Sequence, residues 1–133
     1  MSVKTVMNFV KAINAHQVKK IAALMTEDHT FINSHGKKVV GKEPMKKGWK
    51  GYFDFFPDYT IEITEIIEDE DLIGLFGWAT ATYKNDQTPE AANSWKLPCA
   101  WKAVVRDEKV ALWQVYSDTK IPYEIIERNL DND

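Results

Sequence analysis

Few side chains in this sequence can do chemistry near neutral pH, and they are scattered. There are three histidines and one cysteine in 133 residues. An imidazole ordinarily titrates closest to neutrality, so His29 and His35 are the candidates for moving a proton. His29 shares the alternation of Phe31 and Asn33, which puts it on a strand face able to look into a cavity. His35 lies in Ser34-His35-Gly36-Lys37, a polar turn, and His16 falls between two helical stretches, where it reads as exposed. Asn33 can position a substrate or a water but cannot act as a base, and it can equally shape the turn that follows. Cys99, between Pro98 and Ala100 in an apolar strand and without a cation near it in sequence, reads as an inert core thiol. Three scattered histidines and one cysteine have no ligand-like spacing, so no metal site is expected. Nothing in the sequence calls for a cofactor.

The aromatic residues admit two readings. Trp49 and Tyr52 on a helix, Trp78 and Trp101 on strands and Tyr116 on the last strand are candidates to line a pocket for a flat apolar molecule. The same rings can simply fill a core, since each buries a large apolar area. Gly77, Ala79 and Ala81, alternating with Trp78, Thr80 and Thr82, either leave room for ligand atoms or let a bulky ring pack over them. Neither set holds an ionisable group, so this strand supplies no base.

The elements that must position these residues follow from periodicity. Ser2 is placed to cap a helix whose apolar positions Val3, Val6, Met7, Phe9, Val10 and Ile13 recur three and four apart. A second helical stretch runs from Val18 to Met25, then a short strand from Thr30 to Asn33 and another at Lys38-Val39-Val40. From Lys42 to Phe56 the residues Met45, Trp49, Tyr52, Phe53 and Phe56 form one face of a third helix, stopped by Pro57. The period then becomes two: a strand from Tyr59, an acidic tip at 68–71, a strand from Leu72 to Lys84 and a connection at 86–92 containing Pro89. The strand from Trp95 to Arg106 directs its odd positions inward, and Asp107-Glu108 turns the chain. The strand from Lys109 to Ser117, apolar on both faces, reads as central. A closing helix spans Ile121 to Leu130, with Asp118 or Thr119 as its cap.

Helices gathered early and antiparallel strands gathered late imply a single α+β domain over residues 1–133, its helices on one face of a strongly curved, mainly antiparallel sheet. A hydrophobic share of 44% suffices for one core. A net charge of -3 argues against a nucleic-acid partner. The absence of long apolar runs argues against a membrane span, and the lone cysteine and unremarkable first residues suggest a cytoplasmic protein.

Three segments in this order resemble the SnoaL-like family of the NTF2-like superfamily. They are Leu24-Met25-Thr26-Glu27-Asp28-His29 with Phe31-Ile32-Asn33, Phe55-Phe56-Pro57-Asp58, and Glu108-Lys109-Val110 through Tyr116-Ser117-Asp118. Glu108 stands where the family turn usually has Gly. The resemblance implies a helix-backed cone with an apolar pocket, a small apolar ligand and a homodimer. It implies either a cofactor-free acid–base isomerase, cyclase or dehydratase, or a non-catalytic binding or interaction domain. In such an enzyme Asp118 or His29 is the expected base and Asn33 or Tyr116 the donor; the alternative for Asp118 is a helix cap. The Asp-Arg-Asp set of the superfamily's epoxide hydrolases is missing.

Overall fold

A computed structural model describes residues 2–84 and 93–131; the expected connection at 86–92 lies outside the described residues. The elements are α1 (Ser2–Asn14), α2 (Val18–Ala23), β1 (Met25–Ile32), β2 (Lys38–Val40), α3 (Lys42–Phe55), β3 (Thr60–Asp69), β4 (Leu72–Thr82), β5 (Ser94–Arg106), β6 (Lys109–Tyr116) and α4 (Lys120–Asp131). The six strands form one sheet in the order β2-β1-β6-β5-β4-β3. Only β1 and β6 pair in parallel; the other pairs are antiparallel. The two-sided apolar strand β6 is interior, as its composition requires.

Where the chain departs from its local pattern, tertiary pairing is the reason. The second helix stops at Ala23 and not at Met25, because the backbone beyond it joins the sheet. The Val110 amide donates to the Leu24 carbonyl, and Met25 is paired with Val110. A long-range ladder here outweighs helix propensity. Asn33 accordingly ends the strand: its Oδ1 accepts from the amides of His35 (2.9 Å) and Lys37 (3.0 Å) and shapes the turn. Ser2 does not cap α1; its hydroxyl donates to Asp71 Oδ1 at 2.9 Å, pinning the helix start to the β3–β4 tip. Nor is His16 exposed. It is half-buried, stacks on Phe53 at 4.0 Å, and its Nε2 donates to the Tyr59 carbonyl at 2.7 Å.

Register decides what faces inward. On β4 the buried positions are Ile73, Leu75, Ala79 and Ala81, so the small-residue alternation lies inside and Trp78 lies outside. The register of β3 against β4 shifts between Ile63 and Glu65. There the backbone of β3 comes so close to Gly77 that a Cβ would sit 1.8 Å from the Glu62 carbonyl oxygen. A second register shift lies in β1 and a third between β5 and β6. Such bulges add twist and bend, and they curve the sheet around its inner face. Phe9, Ile13 and Ile21 from the helices pack on Met25, Leu75, Trp101 and Trp113 of that face, making the core at one end of the domain.

Candidate functional site

At the other end the inner face is not filled. A cavity of about 390 Å³ lies between the sheet, α3 and α4. Each wall has a sequence origin. The i, i+3/i+4 spacing of α3 puts Met45, Trp49, Tyr52 and Phe56 along its inward side, and Tyr59 follows directly after the Pro57-Asp58 stop. Ala79 of β4 forms a low floor, flanked by Trp95, Leu97 and Cys99 at the odd positions of β5. Phe31 of β1 and Val115 of β6 continue it. Thr119, Pro122, Tyr123 and Ile126 close one side from α4 and the residue before it, while Asn33, Ser34 and His35 stand on the rim.

Four aromatic rings form a closed circuit in this wall. Tyr52 meets Phe56 at 5.1 Å and Tyr59 at 4.8 Å, and Trp95 meets Phe56 at 5.6 Å and Tyr59 at 6.3 Å between centroids. The pairs are tilted or edge-on, the arrangement ring quadrupoles favour.

Among the described residues no Asp, Glu, Lys or Arg lines the cavity. Burial pushes the Tyr52 and Tyr59 phenols above their ordinary range, so both remain protonated donors. Burial also pushes the Cys99 thiol up, partly offset by the Ser117 hydroxyl at 3.3 Å. The described wall is therefore largely apolar and edged with hydrogen-bond donors. No hydrogen bond between described residues uses either phenol.

The candidates expected from sequence divide sharply. Trp49 and Tyr52 line the cavity, and Asn33 stands on its rim with its oxygen committed to the turn. Trp78 does not line it: the outward alternation of β4 leaves it on the opposite face of the sheet, under the Lys96 ammonium at 5.0 Å. Tyr116 is on the same outer alternation and is 49% exposed. Trp101 points inward but lies in the core, its ring 6.3 Å from that of Trp113. Asp118 is exposed and accepts the Lys120 amide at 3.0 Å, holding the start of α4. His29 is completely buried in the core beside Phe9, away from the cavity. Its Nδ1 donates to the Val110 carbonyl at 2.7 Å, which leaves Nε2 as an unprotonated acceptor with no partner among the described residues. Burial lowers its pKa, against the opposing pull of the Val110 carbonyl. The only imidazole at the cavity is that of His35, its Nε2 3.0 Å from the Thr119 hydroxyl. Tyr59, Phe31 and Tyr123 also line the cavity, though none is singled out as a ligand contact by its sequence pattern. The signal for Tyr123 was present in the apolar spacing of Pro122, Ile125 and Ile126, which gives α4 an inward side.

A second cleft, between the β3–β4 and β5–β6 tips and the start of α1, is lined by acidic side chains including Glu68, Asp71 and Glu108. No group of three or more potential metal ligands is found among the described residues. No described helix is long and apolar enough to cross a membrane.

Comparison with solved structures places this architecture. IdmH of Streptomyces antibioticus, itself a proposed polyketide cyclase, superimposes with a TM-score of 0.78 over 96% of this chain and 99% of its own, at 17% identity. A ketosteroid isomerase-like protein of Catenulispora acidiphila, solved with trimethylamine, gives 0.75 over 87% and 86% at 16% identity. An NTF2-like protein of unknown function from Cytophaga hutchinsonii gives 0.72 over 92% and 95% at 11% identity. At these identities the likeness is one of fold. No protein of curated function matches the sequence significantly. The model of the SnoaL-like domain matches residues 6–113, most of the chain and all six strands except the end of the last; the protein belongs to the SnoaL-like domain family, with the NTF2-like fold.

Proposed function

We propose that the protein is a non-catalytic receptor for an uncharged, largely apolar small molecule. The observation that carries this reading is the wall of the 390 Å³ cavity, built mainly from aromatic and aliphatic side chains, with no Asp, Glu, Lys or Arg among the described residues that line it. Its size is that of small-molecule sites generally. An apolar guest gains about 25 cal/mol per Å² of surface withdrawn from water. A charged guest would lose hydration with no counter-ion to offset it. Proton abstraction needs a base beside a donor; His29 and Asp118 lie away from the cavity lining, and the one imidazole at the cavity, that of His35, is engaged by the Thr119 hydroxyl and the Tyr123 ring. The trimethylamine held by the Catenulispora protein supports the view that this fold accommodates small molecules.

Titration with the neutral dye N-phenylnaphthylamine tests the reading. Saturable one-to-one binding is expected, weakened at least about ten-fold by Ala79→Leu, which places branched carbon on the floor, a difference of about 1.4 kcal/mol. Undiminished binding by Ala79→Leu, with its fold intact, would remove the cavity as the site.

A specific observation also favours assembly of two copies. Leu72, Phe76, Trp78 and Tyr116 expose 38–49% of their surface on the outer side of the sheet, a patch suited to an isologous contact. Sedimentation equilibrium should show a dimer that Trp78→Lys converts to monomer; a monomeric parent protein refutes this assembly.

A further inference from the structure

We propose that α4 is a hinged cover over the cavity, latched by His35, and that ligand enters where this latch parts. The inference rests on the reading of the cavity as a binding site. The walls formed by β1, β5 and β6 are hydrogen-bonded into one sheet, and α3 is anchored through Trp49 and Phe53 to the core. The fourth wall is held differently. The chain leaves β6 at Tyr116, and residues 117–119 are in neither helix nor strand. Asp118 and Thr119 then begin α4 through their own local bonds, to the Lys120 and Tyr123 amides.

Across the rim, the β1–β2 turn meets this segment at one side chain. His35 Nε2 lies 3.0 Å from Thr119 Oγ1, and its ring meets Tyr123 edge-on at 5.5 Å. At the far end the helix is fixed more firmly: Ile125 is buried, and the fully buried Asn129 donates to Asn93 Oδ1 at 3.0 Å. An irregular segment that itself carries the exposed polar latch at one end, and a buried anchor at the other, allow the Thr119–Tyr123 edge to lift while the body stays folded. Opening there exposes the half-buried Cys99 and Ser117 further, since both line the cavity behind the latch.

Cys99 is the only cysteine, so it reports opening without any ligand. The experiment is the rate of Cys99 alkylation by N-ethylmaleimide in the full chain under native conditions, read by intact mass. An exposed hydrogen bond is a small contribution, so His35→Ala and Thr119→Val should each raise the rate about five-fold. Because both variants break the His35–Thr119 hydrogen bond, the double variant should react no faster than His35→Ala, which also removes the Tyr123 ring contact. Wild-type rates in both single variants would overturn the proposal. So would rates that rise only in step with loss of global stability in urea, because Cys99 would then be reached by unfolding. Failure of the dye to bind would count against the receptor reading alone, while the alkylation rates decide whether the cover moves.

Discussion

Acid should weaken this protein through one residue, His29. Its ring is completely buried, its Nδ1–H is committed to the Val110 carbonyl, and its Nε2 faces no partner among the described residues. Protonation would place a charge and an unmatched donor beside Phe9 in the core, and burial accordingly holds the folded-state pKa below the ordinary value of 6.5. In the unfolded chain the same ring takes up a proton as pH falls through about 6.5. The unfolded state therefore binds more protons in the window below that value, and stability falls with pH there. The stabilising contribution is fully present above the unfolded pKa and is lost as pH drops toward the folded one. The limiting slope is about 1.4 kcal/mol per pH unit, so one group removes up to about 1.4 kcal/mol between about pH 7.5 and about pH 5.5. That window lies above the ordinary carboxylate range of about 4, which separates it from general acid unfolding. Urea unfolding of the protein and of His29→Leu at a series of pH values reads the effect as the difference between the two curves. Leucine leaves the Val110 carbonyl without the imidazole, so the variant has its own pH-independent offset; the diagnostic is the slope. Parallel curves over this window would refute the assignment of the proton linkage to His29.

Other expected outcomes follow from single contacts. Gly77→Ala should cost more than about 2 kcal/mol in urea unfolding, because its Cβ would occupy the space of the Glu62 carbonyl, and overpacking against backbone is not relieved by a rotamer change. A loss below about 0.5 kcal/mol would mean that the bulge in β3 simply shifts. Asn14 donates to the Ile61 carbonyl at 2.9 Å and accepts the Ile61 amide at 2.8 Å, joining the end of α1 to β3. Asn14→Ala should lower stability by about 1–3 kcal/mol in thermal unfolding; an unchanged midpoint would show that water replaces both bonds.

The course of the chain was largely legible from hydrophobic period alone. The inward odd positions of β5 and the interior place of β6 followed from Trp95 through Val105 and from the two-sided apolar run after Lys109. What period could not give was anything set by pairing between distant segments. Leu24 and Met25 continue a helical pattern locally, yet the pairing of Met25 with Val110 of β6 draws the chain into a strand. Trp78 and Ala79 were equal claimants to the interior until the pairing of β4 with its neighbours fixed the face, which removed Trp78 from the cavity and set Ala79 as its floor. His29 did face inward as its alternation suggested, but the inner face is divided into a filled end and an open end. Which end a residue reaches depends on the sheet bend and on α3, and neither is written in a neighbouring residue.

On the proposed function, the cavity selects an uncharged guest. Isothermal titration of the protein with acetylnaphthalene and with naphthoate, which differ chiefly in charge at similar size, tests it most directly. The absence of Asp, Glu, Lys and Arg among the described residues of the wall predicts that the ketone binds at least about ten-fold more tightly, or about 1.4 kcal/mol. Equal or tighter binding of the carboxylate, lost on Ala79→Leu, would contradict it.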